Sequence, residues 1–159
     1  MLESQPSKLI FPDQKPPLLG QPPAASSEAN RKSMKGNRGR DTRPELSVRR
    51  ALVARGLRGY RVDWKKVPGS PDIAYVKLKI AVFVNGCFWH RCPYCKLPIP
   101  KTNSKYWTIK FLRNTERDQR KIRELSERGW RVIELWECQT KSDLATCVAI
   151  IQRALSERS

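Results

Sequence analysis

Pro71-Asp72-Ile73-Ala74-Tyr75-Val76-Lys77-Leu78-Lys79-Ile80-Ala81-Val82-Phe83-Val84 is the stretch on which the fold turns. Ile73 to Val76 and Ile80 to Val84 are apolar and rich in β-branched and aromatic residues, as strands require. The short Lys77-Leu78-Lys79 link between them predicts a hairpin. Pro68-Gly69-Ser70-Pro71 in front of the first strand has turn chemistry. The second strand is the more apolar, which places it deeper in a sheet.

Helical patterns lie outward from this hairpin. Thr42-Arg43-Pro44-Glu45 has the spacing of a capping box with proline in the first turn. The helix it starts runs to about Arg55, presents Leu46, Val48, Ala51 and Leu52, and stops at Gly56. Tyr60 to Trp64 reads as a short strand. A loop rich in Cys and Pro spans Gly86 to Asn103, and a long charged helix follows from about Lys105 to Arg128, ending at Gly129. Trp130 to Trp136 is a further strand, and Ser142 to Leu155 a closing helix. Trp64, Trp130 and Trp136 fall on these expected strands and are read as core. Helices before and after strands in this order imply an α/β sandwich around a mixed sheet.

The chain has 159 residues and a net charge of +17. Residues 1–30 hold six of the twelve prolines, two lysines and three acidic groups, with little periodic hydrophobicity. They read as a disordered proline-rich leader, which leaves one domain over residues 31–159. That domain carries 30 basic and 12 acidic residues, +18, so the folded part holds the excess. Such a charge suits a polyanionic partner, nucleic acid above all. The Met-Leu-Glu-Ser start lacks the features of a signal peptide, and no apolar run reaches transmembrane length. The expected setting is therefore the cytoplasm, in association with the nucleoid, without a membrane partner.

Cys87, Cys92 and Cys95 share the loop, and Cys138 lies just past the last strand. In a reducing compartment clustered cysteines more often hold metal than form disulfides. Four thiolates suit a closed, structural tetrahedral zinc site in which a remote ligand ties the loop to the core. Cys147, on an apolar helical face, is read as a core residue.

Asp72 stands at a strand start close to the end of the next strand, where a hydrolytic divalent cation can be held. The backbone carbonyl of Val84 is a second candidate ligand. Glu45 either reaches the same cation, directly or through water, or only completes the capping box. His90 is the sole histidine. Residue type alone leaves it as a general base, a zinc ligand or a buried ring, but four cysteines suffice for zinc and free it for proton transfer.

From about Arg31 to Cys138 the chain resembles the very short patch repair (Vsr) DNA mismatch endonucleases. The likeness rests on Met34, Asp41-Thr42-Arg43-Pro44-Glu45, Pro68-Gly69-Ser70-Pro71-Asp72, Val82 through His90, Pro100-Lys101-Thr102-Asn103, Tyr106-Trp107, Asn114 through Arg117-Asp118, Gly129 through Val132 and Trp136-Glu137. Gly86-Cys87-Phe88-Trp89-His90 is the most specific of these. The resemblance implies a restriction-endonuclease-like three-layer sandwich and a magnesium-dependent nick 5′ to the thymine of a T·G mismatch, the product of 5-methylcytosine deamination. It implies Asp72 as the principal magnesium carboxylate, Glu45 assisting through water and His90 as a catalytic histidine. Cys87, Cys92, Cys95 and Cys138 fall on zinc positions. Phe88, Trp89 and Trp107 match side chains that wedge into the DNA stack, Met34 one that inserts from the other groove, and Lys110 and Asn114 positions facing DNA. Double-stranded mismatched DNA is the implied partner of a monomer, with mismatch-repair proteins beside it.

Asn85 departs from the pattern, because well-studied members carry a second catalytic histidine there. Asparagine orients a water but takes no proton at neutral pH. Two alternatives follow: a related homing or restriction-associated nickase with another target, or a non-catalytic zinc-stabilised DNA-binding module.

Overall fold

The computed structural model describes residues 18–24, 28 and 39–159. Most of the expected leader, most of the basic segment from Arg31 to Arg40, and Met34 with it, lie outside the described residues. Helix α1 spans Arg43–Ala54, followed by strands β1 (Arg61–Val62), β2 (Ile73–Tyr75) and β3 (Ile80–Asn85). The long helix α2 (Ser104–Glu127) leads to β4 (Arg131–Trp136), the short helix α3 (Glu137–Ser142) and α4 (Leu144–Ser156).

The sheet order is β1-β2-β3-β4, with β1/β2 and β2/β3 antiparallel and β3/β4 parallel. The mixed sheet expected from the sequence is therefore present, and α2 lies in the crossover between its two parallel strands. Side chains alternate across the sheet with a period of two. On one face Ile73, Tyr75, Ile80, Val82, Val84, Ile133 and Leu135 join Val48 and Leu52 of α1 and Cys147, Val148, Ile151, Ala154 and Leu155 of α4. On the other, Ala74 and Ala81, paired in the register, lie under Leu125 of α2 and Trp130. The result is three layers, helix–sheet–helix. Leu52, Ile73, Ile80, Leu125, Leu135 and Ile151 are fully buried, and each contributes roughly 1.5–3 kcal/mol by leaving water.

Both major helices stop as their glycines predict. Gly56 (φ 72°) and Gly129 (φ 77°) take the left-handed conformation. The amides of Gly56 and Leu57 bond Val53 and Leu52, and those of Gly129 and Trp130 bond Ser126 and Leu125, closing orphan carbonyls in the Schellman manner.

Three expectations change. The strand read at Tyr60–Trp64 shrinks to Arg61–Val62, because Asp63 turns left-handed (φ 48°) and ends the pairing. Trp64 thus lies off the strand, half-buried against the second core cluster, while Trp130 is buried just ahead of β4. The closing helix starts at Leu144 rather than Ser142, because Asp143, with extended backbone (φ −150°), caps it and its carboxylate accepts from the Thr146 amide at 2.9 Å. The residues before it form α3, which sequence patterning did not predict. The Thr42 capping box is also modified. The Thr42 hydroxyl donates to Glu45 Oε1 (2.7 Å), and the Asp41 amide, rather than that of Thr42, donates to Oε2 (2.8 Å). Among the described residues, no helix is long and apolar enough to cross a membrane.

Candidate active site and metal centre

A cleft of about 990 Å³ opens where the start of α1, the ends of β2 and β3, the following loop and the middle of α2 converge. Asp72, Glu45, Val84, Asn85, Trp89 and His90 all line it. Six residues singled out along the chain are thus brought to one wall or another of a single cavity.

Asp72 sits one residue before β2, behind the fully buried Pro71. The β2/β3 register begins at Ile73 opposite Val82, so the Asp72 side chain takes over where the backbone ladder ends. Its Oδ2 accepts the Val84 amide at 2.7 Å, and its own carbonyl accepts the Asp63 amide at 3.4 Å. Burial pushes the Asp72 carboxyl up to about 6; the Val84 amide opposes this, the charge of nearby Glu45 adds to it, and His90 and Arg49 pull it back. A desolvated carboxylate beside a second, buried one is relieved by a divalent cation. Carboxylate and carbonyl oxygens are also the donors that magnesium prefers. The donor chemistry of Asp72, Glu45 and Val84 therefore fits that ion. Glu45 is only 5% exposed. Its two oxygens each hold one local donor and retain further acceptor capacity, so capping and cation binding are compatible roles.

His90 lines the cleft from the loop that follows β3. Its amide bonds the Gly86 carbonyl at 3.2 Å, which curls Gly86–His90 into a turn. Its Nδ1 lies 2.5 Å from Asp118 Oδ2. Asp118 Oδ1 accepts from Lys121 Nζ at 3.2 Å, with Arg117 Nε at 3.7 Å. Burial works against charge on Asp118, but His90 and Lys121 outweigh it and hold the carboxyl below its ordinary value. A carboxylate only accepts, so Nδ1 is the donor and Nε2 is left to meet the cleft. Asp118 belongs to the run Asn114 through Arg117-Asp118 with no task assigned by the sequence, and Lys121 lies outside that run. The only signal for either was their i, i+3 spacing on a helix whose surface is charged nearly all round.

Asn85 ends β3, and its Nδ2 donates to Glu134 Oε1 of β4 at 3.4 Å. Glu137, on α3, also lines the cleft and accepts from the Cys87 amide at 3.4 Å. The bond from Lys141 (2.6 Å) holds its carboxyl below the ordinary value.

The same loop gathers Cys87, Cys92, Cys95 and, from α3, Cys138, with all four sulfurs within 4.8 Å of one another. Sulfurs at 2.3 Å around a tetrahedral ion stand about 3.8 Å apart, and Cys92 and Cys138 Sγ are 3.7 Å apart. The four can therefore hold a metal ion. His90 faces away into the cleft, so of the open readings the four-cysteine set is the one that gathers. Gln139 accepts the Trp136 amide at 3.0 Å and starts α3, which delivers Cys138. Cys147 lies in the core, 3% exposed, as read.

Between this centre and α2 sits an aromatic cluster. Phe88 meets Trp89, Trp107 and Phe111 edge-on, with centroids 5.1–5.6 Å apart. Lys110 Nζ lies 5.3–5.5 Å from the ring centroids of Trp89, Tyr106 and Trp107. Asn114 Nδ2 donates to the Trp89 carbonyl at 3.1 Å. Phe88, Trp89 and Trp107 are each half-buried, packing on one another and on α2 rather than standing free.

Residues 25–96 match the model of the family described as DNA mismatch endonuclease Vsr. The chain is 40% identical over 131 residues to the type II nicking enzyme V.XorIIP of Xanthomonas oryzae pv. oryzae, covering 82% of this chain and 94% of that protein. It is 39% identical to the type II nicking enzyme V.NaeI of Lentzea aerocolonigenes, over 79% of this chain and 78% of that one. With the DNA mismatch endonuclease Vsr of Escherichia coli it shares 37% identity over 107 residues, 67% of this chain and 68% of the relative.

Proposed function

Because the chain belongs to the Vsr family of DNA endonucleases, we propose that it is a magnesium-dependent nickase cutting one strand 5′ to the thymine of a T·G mismatch. The observation that carries this reading is the cleft itself, where a desolvated Asp72 and buried Glu45 face a carboxylate-oriented histidine beside an aromatic cluster. The three-layer arrangement around a mixed sheet supports a restriction-endonuclease-like fold.

Asp72, the Val84 carbonyl and, through water, Glu45 are the residues that would hold magnesium. When bound, the ion stabilises negative charge growing on the phosphate oxygens. Asp72 is ionised at neutral pH even though burial raises its pKa, so it presents its charged form to a cation. His90 Nε2 accepts the proton of the water that attacks phosphorus, while Asp118 keeps Nδ1 protonated and the ring oriented. The bond from the water oxygen to phosphorus forms as the bond to the leaving sugar oxygen breaks, that oxygen takes up a proton from solvent, and a single strand is cut. Asn85 orients water or substrate and takes no proton. Cys87, Cys92, Cys95 and Cys138 bind zinc, which fixes the loop that carries His90.

Phe88, Trp89 and Trp107 supply the mismatch wedge, with Met34 from the second groove and Lys110 and Asn114 facing the DNA. A T·G pair unstacks at lower cost than a Watson–Crick pair, so a wedge favours it. The enzyme acts as a monomer in the cytoplasm, alongside mismatch-repair proteins.

A duplex carrying one T·G pair, incubated with magnesium and its fully paired control, tests the reading. A single cut mapped 5′ to the thymine supports it, and equal cutting of both duplexes overturns it. The relatives named as type II nicking enzymes favour a second reading, a restriction-associated nickase with another target. A panel of mismatched and matched sites separates the two.

A further inference from the structure

We propose that Lys121 is a positioning residue for this cleft: it holds one oxygen of Asp118 so that the other is fixed on His90 Nδ1. The inference rests on the reading of His90 as the group that acts on substrate.

A carboxylate with a single partner can rotate and offer either oxygen. Here the two oxygens are divided, Oδ2 to His90 at 2.5 Å and Oδ1 to Lys121 at 3.2 Å. Two partners on opposite oxygens fix the carboxylate plane, and with it the tautomer and the direction of the imidazole. The Asp118 side chain is 18% exposed, and those of His90 and Lys121 are each 26% exposed, so solvent competes weakly for these bonds. The other cation near Oδ1, Arg117, is 3.7 Å away with its side chain 48% exposed, a much looser tether.

A second observation concerns how the lysine is seated. Its stem crosses Gly69, where a Cβ would stand 2.8 Å from Lys121 Cδ and 3.2 Å from its Cβ and Cγ. Gly69 also has φ +79°, a conformation that L side chains rarely adopt. It belongs to the Pro68–Pro71 turn that delivers Asp72. Thus the lysine stem packs on the turn behind Asp72 while its ammonium group holds Asp118. Lys121 is the side chain that couples the two walls of the cleft.

His90 is the only histidine, so the imidazole nitrogens of the ¹⁵N-labelled protein report on one ring without assignment. Lys121→Met keeps the stem over Gly69 and removes the charge; Lys121→Gln serves if that variant fails to fold. In native protein, at a pH where the ring is neutral, the spectrum should show one tautomer with the proton on Nδ1. Lys121→Met should give mixed-tautomer shifts. It should also lower kcat on a nickable duplex about tenfold, as loss of an orienting partner does, with KM changed by less than about twofold. Lys121→Arg should restore both. An unchanged spectrum with unchanged kcat overturns the proposal. So does a rise in KM alone, which would mean that the lysine contacts DNA phosphate. If His90→Ala nicks normally while Lys121→Met still scrambles the tautomer, the catalytic reading of His90 fails and the positioning role stands.

Discussion

The two walls of the cleft are held by different physics. On the Asp72 wall the tethers are backbone: the Val84 amide on its carboxylate, the Asp63 amide on its carbonyl, and fully buried Pro71 behind it. That wall continues the sheet, and the sheet rests on the core shared by α1 and α4. On the His90 wall backbone bonds only close the local turn, such as the His90 amide on Gly86, and the long-range tethers are side chains: four thiols, Asn114 on the Trp89 carbonyl, and Asp118 on the ring. The carboxylate is placed by the hydrophobic core, whereas the histidine is placed by a loop on which four cysteines that can hold a metal ion converge, and by a chain of polar contacts. The first should survive loss of metal, and the second should not.

Removing the thiolate centre is the strongest way to separate the walls. Cys92→Ser, or stripping of the metal, should abolish nicking and cost more than about 3 kcal/mol of stability, the scale of a lost structural metal. Hydrogen exchange then reads the contrast. Amides of residues 86–103 should lose protection, while those of β2 and β3 keep theirs. Uniform loss across both would show that the sheet side also depends on the metal.

Asp72→Asn should act on the other wall with opposite effects on activity and stability. Asparagine keeps an acceptor for the Val84 amide but gives up the charge. Nicking should fall about 10²–10³-fold, equivalent to roughly 3–4 kcal/mol of charge stabilisation. Stability should rise. In the fold Asp72 holds its proton up to about pH 6, against 3.8 ordinarily. Between those values the folded chain binds more protons than the unfolded one, so stability falls as pH rises. In magnesium-free buffer above pH 6 the cost is complete at roughly 3 kcal/mol, and Asn removes it. Denaturant melts at pH 4 and pH 7.5 on both proteins check the slope; equal slopes would refute it.

Asp118→Asn sharpens the contrast, because its linkage has the reverse sign. His90 and Lys121 hold Asp118 below its ordinary value. Its contribution is therefore present above the usual carboxyl range and lost as pH falls through it. The substitution should flatten the acid limb of stability rather than the window between pH 4 and 6. Nicking should drop about 10- to 100-fold, as for an orienting partner. A rate within twofold of native would detach Asp118 from the chemistry.

The same division explains what was legible along the chain. The hairpin, the mixed sheet, both glycine stops and the four cysteines follow from periodicity and spacing, which are local signals. Asp72 was visible because a strand start fixes its place relative to the next strand. Asp118 and Lys121 were not, since α2 is polar over most of its surface and only the tertiary placement of its middle turn selects them. The break at Asp143 and the helix that delivers Cys138 were missed for a related reason. Glu137 to Ser142 offers little apolar periodicity, and only the extended backbone of Asp143 splits the run into two helices. The mutual packing of Phe88 with Trp107 and Phe111 joins residues about 20 apart, with no local trace.

The smallest expected effect lies at Asn85, where the two walls meet. Its side chain points across the sheet to Glu134, 3.4 Å away on the parallel strand β4. It also lines the cleft with Asp72 and His90. A histidine there adds a second group able to move a proton, but it must give up or share the Glu134 contact. If His90, oriented by Asp118, carries the proton transfer alone, the new ring is redundant, and Asn85→His should change the nicking rate by less than about threefold, well below the 10²–10⁴-fold scale of a general base. A gain of tenfold or more would show instead that the native enzyme lacks a working base at residue 85. The wall built on the sheet would then carry proton chemistry as well as the cation, and the separation of roles between the two walls would fail.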